Sequence, residues 1–140
     1  MKQMKDRCFI DTNIWVYLYS DTTKSIVVNQ IIETNFEDIV ISTQVMTELY
    51  NVLVKKKFKT RIEAAQIINE ISRTFTVCGI NSEMVIKASE ISIKFQYSIY
   101  DSLIIATALS NQCNIVYTED LQHNQTIEQK IKIIDPFKKI

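Results

Sequence analysis

The chain carries sixteen acidic residues, and most members of any such set are solvated. Four of them sit where hydrophobic patterning leaves little room for a free charge. Glu48 follows Val45 by three residues and precedes Val52 by four, the spacing that puts all three on one face of a helix. Asp101 precedes Ile104, Ile105 and Ala108 by three, four and seven residues, which places it on the apolar face of the most hydrophobic helical stretch, near its N-terminal end. A carboxylate so placed must be desolvated at a cost, become neutral, or meet a cation. Asp11 and Asp120 each follow a short apolar run, Cys8-Phe9-Ile10 and Ile115-Val116-Tyr117, by one to three residues. In a parallel sheet that position is the carboxyl edge of the strands, where ligands bind.

If these four acids meet at one edge, with no histidine and no nearby lysine to neutralise them, their repulsion calls for a divalent cation. All-oxygen ligation selects magnesium, with manganese as a substitute, over zinc. Such an ion can polarise a phosphoryl oxygen, lower the pKa of a bound water and stabilise in-line displacement, so phosphodiester hydrolysis is the expected reaction, with one metal or two about 4 Å apart. One of the acids can also orient the attacking water as a base. Asn13 can add an amide oxygen, Thr12 or Thr118 a hydroxyl, and Glu119 can replace Asp120 as the fourth ligand. Each has a plainer explanation as well: caps and turns for the residues after strands, an ion pair or a different helix phase for Glu48 and Asp101.

The elements that must position these residues read as follows. Residues 8–10 form a strand that emerges at Asp11, and a short apolar helix starts at 14–18. A helix follows over 25–35, then a strand over 38–41 with Ser42 or Thr43 as the next N-cap. Val45, Met46, Leu49, Val52 and Leu53 give a helix over 43–57, paired as a hairpin with a second over 60–72 that carries Ile62, Ala65, Ile68 and Ile71 on its inner face. A strand over 75–78 precedes a helix capped by Ser82 and running to Phe95, and another helix spans 99–111. Strands over 115–117 and 132–135 enclose a polar loop over 118–126, and the only proline, Pro136, ends the last strand. Strands alternating with helices and few hairpin signals imply parallel pairing, hence a three-layer α/β/α sandwich with a central, mainly parallel sheet of four to five strands.

Length and composition narrow the functional classes. With 140 residues and 46% apolar content, the chain reads as one domain over 1–140. No apolar segment suits a leader or a membrane span, so a soluble, cytoplasmic protein is expected. Cys8, Cys78 and Cys113 are odd in number and scattered, which fits reduced core thiols rather than a disulfide framework or a zinc knuckle. The single histidine, His123, lies in the polar loop and reads as solvated. A lone glycine, Gly79, excludes both the GxGxxG turn and the Walker loop. Net charge is zero, yet five of the sixteen basic residues, Lys55, Lys56, Lys57, Lys59 and Arg61, fall in one short stretch. That stretch is either a solvated helix end complementing the dipole or a phosphate-contacting patch.

Four segments in order, Phe9-Ile10-Asp11-Thr12-Asn13, Thr47-Glu48-Leu49, Tyr100-Asp101-Ser102-Leu103-Ile104 with Ala106, and Tyr117-Thr118-Glu119-Asp120-Leu121, resemble the PIN domain superfamily over nearly the whole chain. Within it, a stand-alone domain of this size is similar to the VapC-type toxins of bacterial toxin–antitoxin pairs. The resemblance implies a PIN-like fold and a metal-dependent endoribonuclease with an RNA substrate. It also implies a homodimer, held inactive by a cognate antitoxin inserted into the active-site groove. It maps the family's acids onto Asp11, Glu48, Asp101 and Asp120, with Thr118 as the partner of Asp120 and Asn13 as the polar residue after the first aspartate. It leaves the stretch from Lys55 to Arg61 for contact with the RNA backbone.

Rival readings share the acids. A structure-specific DNA nuclease of the same superfamily keeps the site but usually carries DNA-gripping elements that are absent here. A magnesium-binding phospho-receiver domain needs an acidic pair near the first strand and a lysine at a late strand end, whereas Asp11 has no acidic neighbour and Lys132 begins its strand. A phosphatase of the haloacid dehalogenase type wants Asp-x-Asp, and position 13 is asparagine. A scaffold that has lost catalysis fits poorly with four acids in place.

Overall fold

The computed structural model describes residues 6–138; the ends of the 1–140 domain expected from sequence lie outside that range. Six strands form one sheet in the order β3-β2-β1-β4-β6-β5, comprising β1 (Arg7–Ile10), β2 (Ile39–Ser42), β3 (Thr76–Cys78), β4 (Cys113–Tyr117), β5 (Thr126–Ile127) and β6 (Ile131–Ile134). All pairings are parallel except β5 with β6. The six α-helices are α1 (Thr12–Trp15), α2 (Lys24–Thr34), α3 (Thr43–Lys55), α4 (Arg61–Thr74), α5 (Ser82–Phe95) and α6 (Ile99–Ser110). From β1 the chain moves through β2 to β3 on one side, then returns to place β4 on the other. By the right-handed rule for parallel crossovers, the helices of the outward run, α1 to α4, belong to one face of the sheet and those of the return, α5 and α6, to the other. β1 and β4 sit where the two directions diverge, the switch point at which an open parallel sheet leaves a crevice.

The central strands are buried on both faces, as continuous apolar runs require: Phe9, Ile10, Val40, Ile41, Val116 and Ile133 are fully enclosed. Cys8 and Cys113 join this core, all three cysteines are free thiols, and burial pushes the Cys8 and Cys113 thiols up to about 12. No helix among the described residues is long and apolar enough to cross a membrane.

Four details differ from the sequence reading. Among the described residues the sheet has six strands rather than four to five, because residues 126–127 form β5 where the expected loop ends. The turn that returns it to β6 uses Glu128 and Gln129 at φ 51° and 57°, with Lys130 N–H donating to the Ile127 carbonyl at 3.0 Å. That left-handed turn is normally written with Gly or Asn, so its sequence signal is missing. In α4 the inner face is set by Ala64 and Ile71, whereas Ile62 is 73% exposed and Ala65 is exposed. Ile71 keeps its expected place, while Thr60 and Glu63 form a capping box that starts the helix at Arg61 and leaves Ile62 in its exposed first turn. Asn81, not Ser82, caps α5, its side chain accepting from Met84 N–H. His123 is not simply solvated: its Nδ1 accepts from Asp135 N–H at 3.0 Å, tying the 118–126 loop to the end of β6.

Candidate active site

Parallel register brings the first two site residues together. Ile10 of β1 pairs with Tyr117 of β4, so the next residues, Asp11 and Thr118, leave the sheet side by side. Asp11 N–H continues the ladder to the Tyr117 carbonyl at 3.0 Å. The Asp11 side chain caps α1, Oδ1 accepting from Thr12 N–H at 2.7 Å, while Oδ2 accepts from the Thr118 hydroxyl at 2.9 Å. Thr118 is fully buried, and its Oγ1 also accepts from Asp120 N–H at 3.1 Å and from the Asn13 amide at 3.4 Å. One hydroxyl thus orders Asp11, Asn13 and the loop carrying Asp120.

The other acids come from the helices flanking the crevice. Ser98 caps α6 by accepting from Asp101 N–H at 3.1 Å, which holds Asp101 in the first turn, where the helix dipole favours a negative charge. Glu48, in the second turn of α3, has both oxygens engaged: Oε2 accepts from the Thr12 hydroxyl at 2.8 Å and Oε1 from the Gln44 amide at 2.9 Å. Gln44 also donates to the Tyr100 carbonyl at 3.4 Å, pinning the start of α6 to the start of α3 across the crevice.

Asp11, Asp101 and Asp120 each offer a carboxylate oxygen, and these oxygens all lie within 4.8 Å of one another. None of these three, nor Glu48, makes an ion pair with a lysine, arginine or histidine among the described residues. The electrostatic consequence falls mainly on Asp11, which is 6% exposed. Burial pushes its carboxyl up to about 7, the hydrogen bonds from Thr118 and Thr12 pull it back, and Asp120 and Glu48 push it up again. Asp101 is raised by burial first and by Asp120 next. Asn13 lines the same pocket, and its Oδ1 is a buried acceptor without a hydrogen-bond partner. Clustered carboxylates without a counter-ion and an orphaned amide oxygen beside them fit a hard divalent cation.

The other expected residues separate. Glu119 is engaged elsewhere than in the aspartate cluster: its Oε2 lies 3.2 Å from Lys24 Nζ, and that ammonium stands over the Tyr17 and Phe137 rings at 4.5 and 4.7 Å. Of the basic stretch, Lys56 lines the carboxylate pocket, Lys57, Lys59 and Arg61 line a neighbouring cavity, and Lys55 lines neither. Gln44 was not foreseen, although its i,i+4 spacing from Glu48 is a usable signal. Lys24 had none, since its partner lies 95 residues away.

The PIN domain family model matches residues 8–128. No protein of the curated set matches significantly by sequence. Among solved structures, the chain is similar to a toxin–antitoxin complex from Klebsiella pneumoniae, at 18% identity and a TM-score of 0.70 over 93% of this chain and 98% of that one. The DNA-bound VapBC of Salmonella typhimurium is similar at 18% and 0.70, over 92% and 97%. VapC20 of Mycobacterium tuberculosis, described as a sarcin-ricin loop cleaving toxin, is similar at 17% and 0.68, over 81% and 89%. At such identities the likeness to these structures is one of fold.

Proposed function

Given that this chain belongs to the PIN domain family, we propose that it is a cytoplasmic, magnesium-dependent endoribonuclease, the toxin of a toxin–antitoxin pair, with Asp11, Asp101 and Asp120 as metal ligands. The observation that carries this reading is the approach of the three aspartate oxygens to within 4.8 Å with no cationic side chain among the described residues paired to them. Magnesium, or manganese in its place, suits the all-oxygen donor set and would supply a polarised phosphoryl oxygen and a water acidic enough to attack phosphorus.

The chain's own residues then divide the work. Asp11 and Asp120 are presented from adjacent strand ends by the shared Thr118 hydroxyl, and Asp101 by its capped helix start. Glu48 stands beside them with its carboxylate fixed by Thr12 and Gln44, a placement that suits orienting an attacking water as a base or holding the metal through one. Asn13 contributes its free amide oxygen. A protein partner is supported by the similar structures, which are described as toxin–antitoxin and VapBC complexes. A cognate antitoxin is therefore the proposed regulator and RNA the proposed substrate. The proposed homodimer predicts twice the mass of one chain by light scattering, and a clean monomer mass would remove it.

Incubation of purified protein with total RNA, in magnesium and in chelator, tests the reading. Discrete fragments formed only with the metal are expected. A folded protein that binds magnesium and leaves all RNA intact overturns it and transfers the site to DNA cleavage.

A further inference from the structure

The pocket that holds the aspartates is larger than a hydrated cation requires, with a cavity of about 550 Å³. The same pocket is also lined by Lys56, Phe58 and Tyr100. Tyr100 is 69% exposed and Phe58 41%, and neither ring joins an aromatic pair among the described residues. Large rings left open in a pocket that also holds clustered carboxylates are apolar surface awaiting a partner.

Both backbones are held in place. The Tyr100 carbonyl is tied to Gln44, and its neighbour Asp101 is capped by Ser98. Phe58 follows Lys57, whose φ of 61° turns the chain sharply out of α3, so that Phe58 N–H donates to the Leu53 carbonyl at 3.0 Å. A left-handed lysine is an unfavourable way to end a helix, and here it is what brings Phe58 to the pocket. Phe58 also borders the neighbouring open cavity lined by Lys57, Lys59 and Arg61. The carboxylate pocket thus includes two open rings and Lys56, and through Phe58 it adjoins three further cations.

That combination matches one occupant. A polyanion with planar, unpaired bases can place a phosphate at the metal site, its bases on the rings and its next phosphates along the cations. A duplex keeps its base faces stacked inward and offers none to Tyr100 or Phe58. We propose that Tyr100 and Phe58 are stacking platforms for the bases flanking the scissile phosphate, with Lys56 holding backbone phosphate. This inference rests on the nuclease reading above.

The test is fluorescence anisotropy with labelled six-nucleotide RNAs of mixed sequence, and with a blunt duplex of the same length, in an Asp101→Asn background where turnover is removed and both rings are kept. Tyr100→Ala and Phe58→Ala are each expected to weaken single-strand binding by about tenfold, and Tyr100→Phe to restore it to within about twofold. The duplex is expected to bind more weakly and to be indifferent to the rings. Hexamer affinity unchanged in both alanine variants overturns the platform, as does a duplex bound equally well through the same rings. Ring substitutions that weaken only the binding of an antitoxin also overturn it, assigning the rings to a protein contact. Absence of RNA cleavage by the wild type ends the nuclease reading, whereas a ring-dependent hexamer affinity measured without turnover still supports the platform. Normal metal-dependent cleavage with ring-independent hexamer binding ends the platform alone.

Discussion

Asp11→Asn is expected to reduce RNA cleavage by about a thousandfold or more and, in the same protein, to stabilise the metal-free fold above neutral pH. The loss follows from removing the most buried of the three clustered carboxylates, because several kcal/mol of transition-state charge stabilisation depend on a correctly held cation. The gain follows from linkage. Burial raises the folded-state pKa of Asp11 to about 7 from an ordinary value of 3.8, so between those limits the folded chain binds a proton that the unfolded chain has released. Stability in chelator is therefore greatest at low pH for this group, falls as pH rises from about 4 to 7, and carries the full cost above 7. A rise of that size sets the cost on the order of 4 kcal/mol. Asparagine keeps the cap to Thr12 N–H, fills nearly the same volume and carries no charge. Urea denaturation in chelator at pH 8 is thus expected to give the variant about 1–3 kcal/mol more stability than the wild type, with the difference closing toward pH 4. A variant less stable than the wild type at pH 8 would show that Asp11 is stabilising in its own right and that the site stores no electrostatic strain for a cation to relieve.

Thr118→Val keeps the side-chain shape and removes the hydroxyl on which three site residues converge. Asp11 Oδ2 loses its donor, and Asp120 N–H loses its acceptor together with the Asn13 amide. Groups that orient metal ligands are worth about 10–100-fold in metal affinity or activity, and buried polar atoms left unpaired cost about 1–3 kcal/mol. The variant is therefore expected to cut RNA about 10–100-fold more slowly, to need more magnesium for half-maximal rate, and to be destabilised by about that energy. Thr118→Ser retains the hydroxyl and is expected to recover most of the rate. A valine variant with wild-type magnesium dependence would reduce Thr118 to a packing residue.

Much of this site was readable because it violates the pattern around it. Glu48 and Asp101 interrupt apolar helical faces, and Asp11 follows an apolar strand; each is a local offence against burial rules that nearby sequence exposes. That Asp120 and not Glu119 groups with Asp11 and Asp101 was beyond reach of the sequence, since Glu119 pairs with Lys24, a residue distant in sequence. The parallel strands β1, β2, β4 and β6 were visible as apolar runs, whereas β5 was hidden because its turn uses Glu128 and Gln129 in place of glycine. The start of the inner face of α4 was misplaced because Ile62, an apolar residue, lies in the exposed first turn that Thr60 and Glu63 cap, whereas Ile68 and Ile71 pack inward as expected. Strand order was equally hidden, and it removes the phospho-receiver reading: here β2 and β3 both lie on one side of β1, whereas the receiver fold places only one strand there.

Calorimetric titration of manganese into the chelator-stripped protein asks whether the three aspartates gather a cation at all, the premise on which the nuclease chemistry stands. Saturable binding by the wild type, abolished in Asp101→Asn at unchanged secondary structure, is the predicted result. A wild type that takes up no manganese, or an Asp101→Asn protein that takes it up as tightly, would contradict a metal site built from these carboxylates.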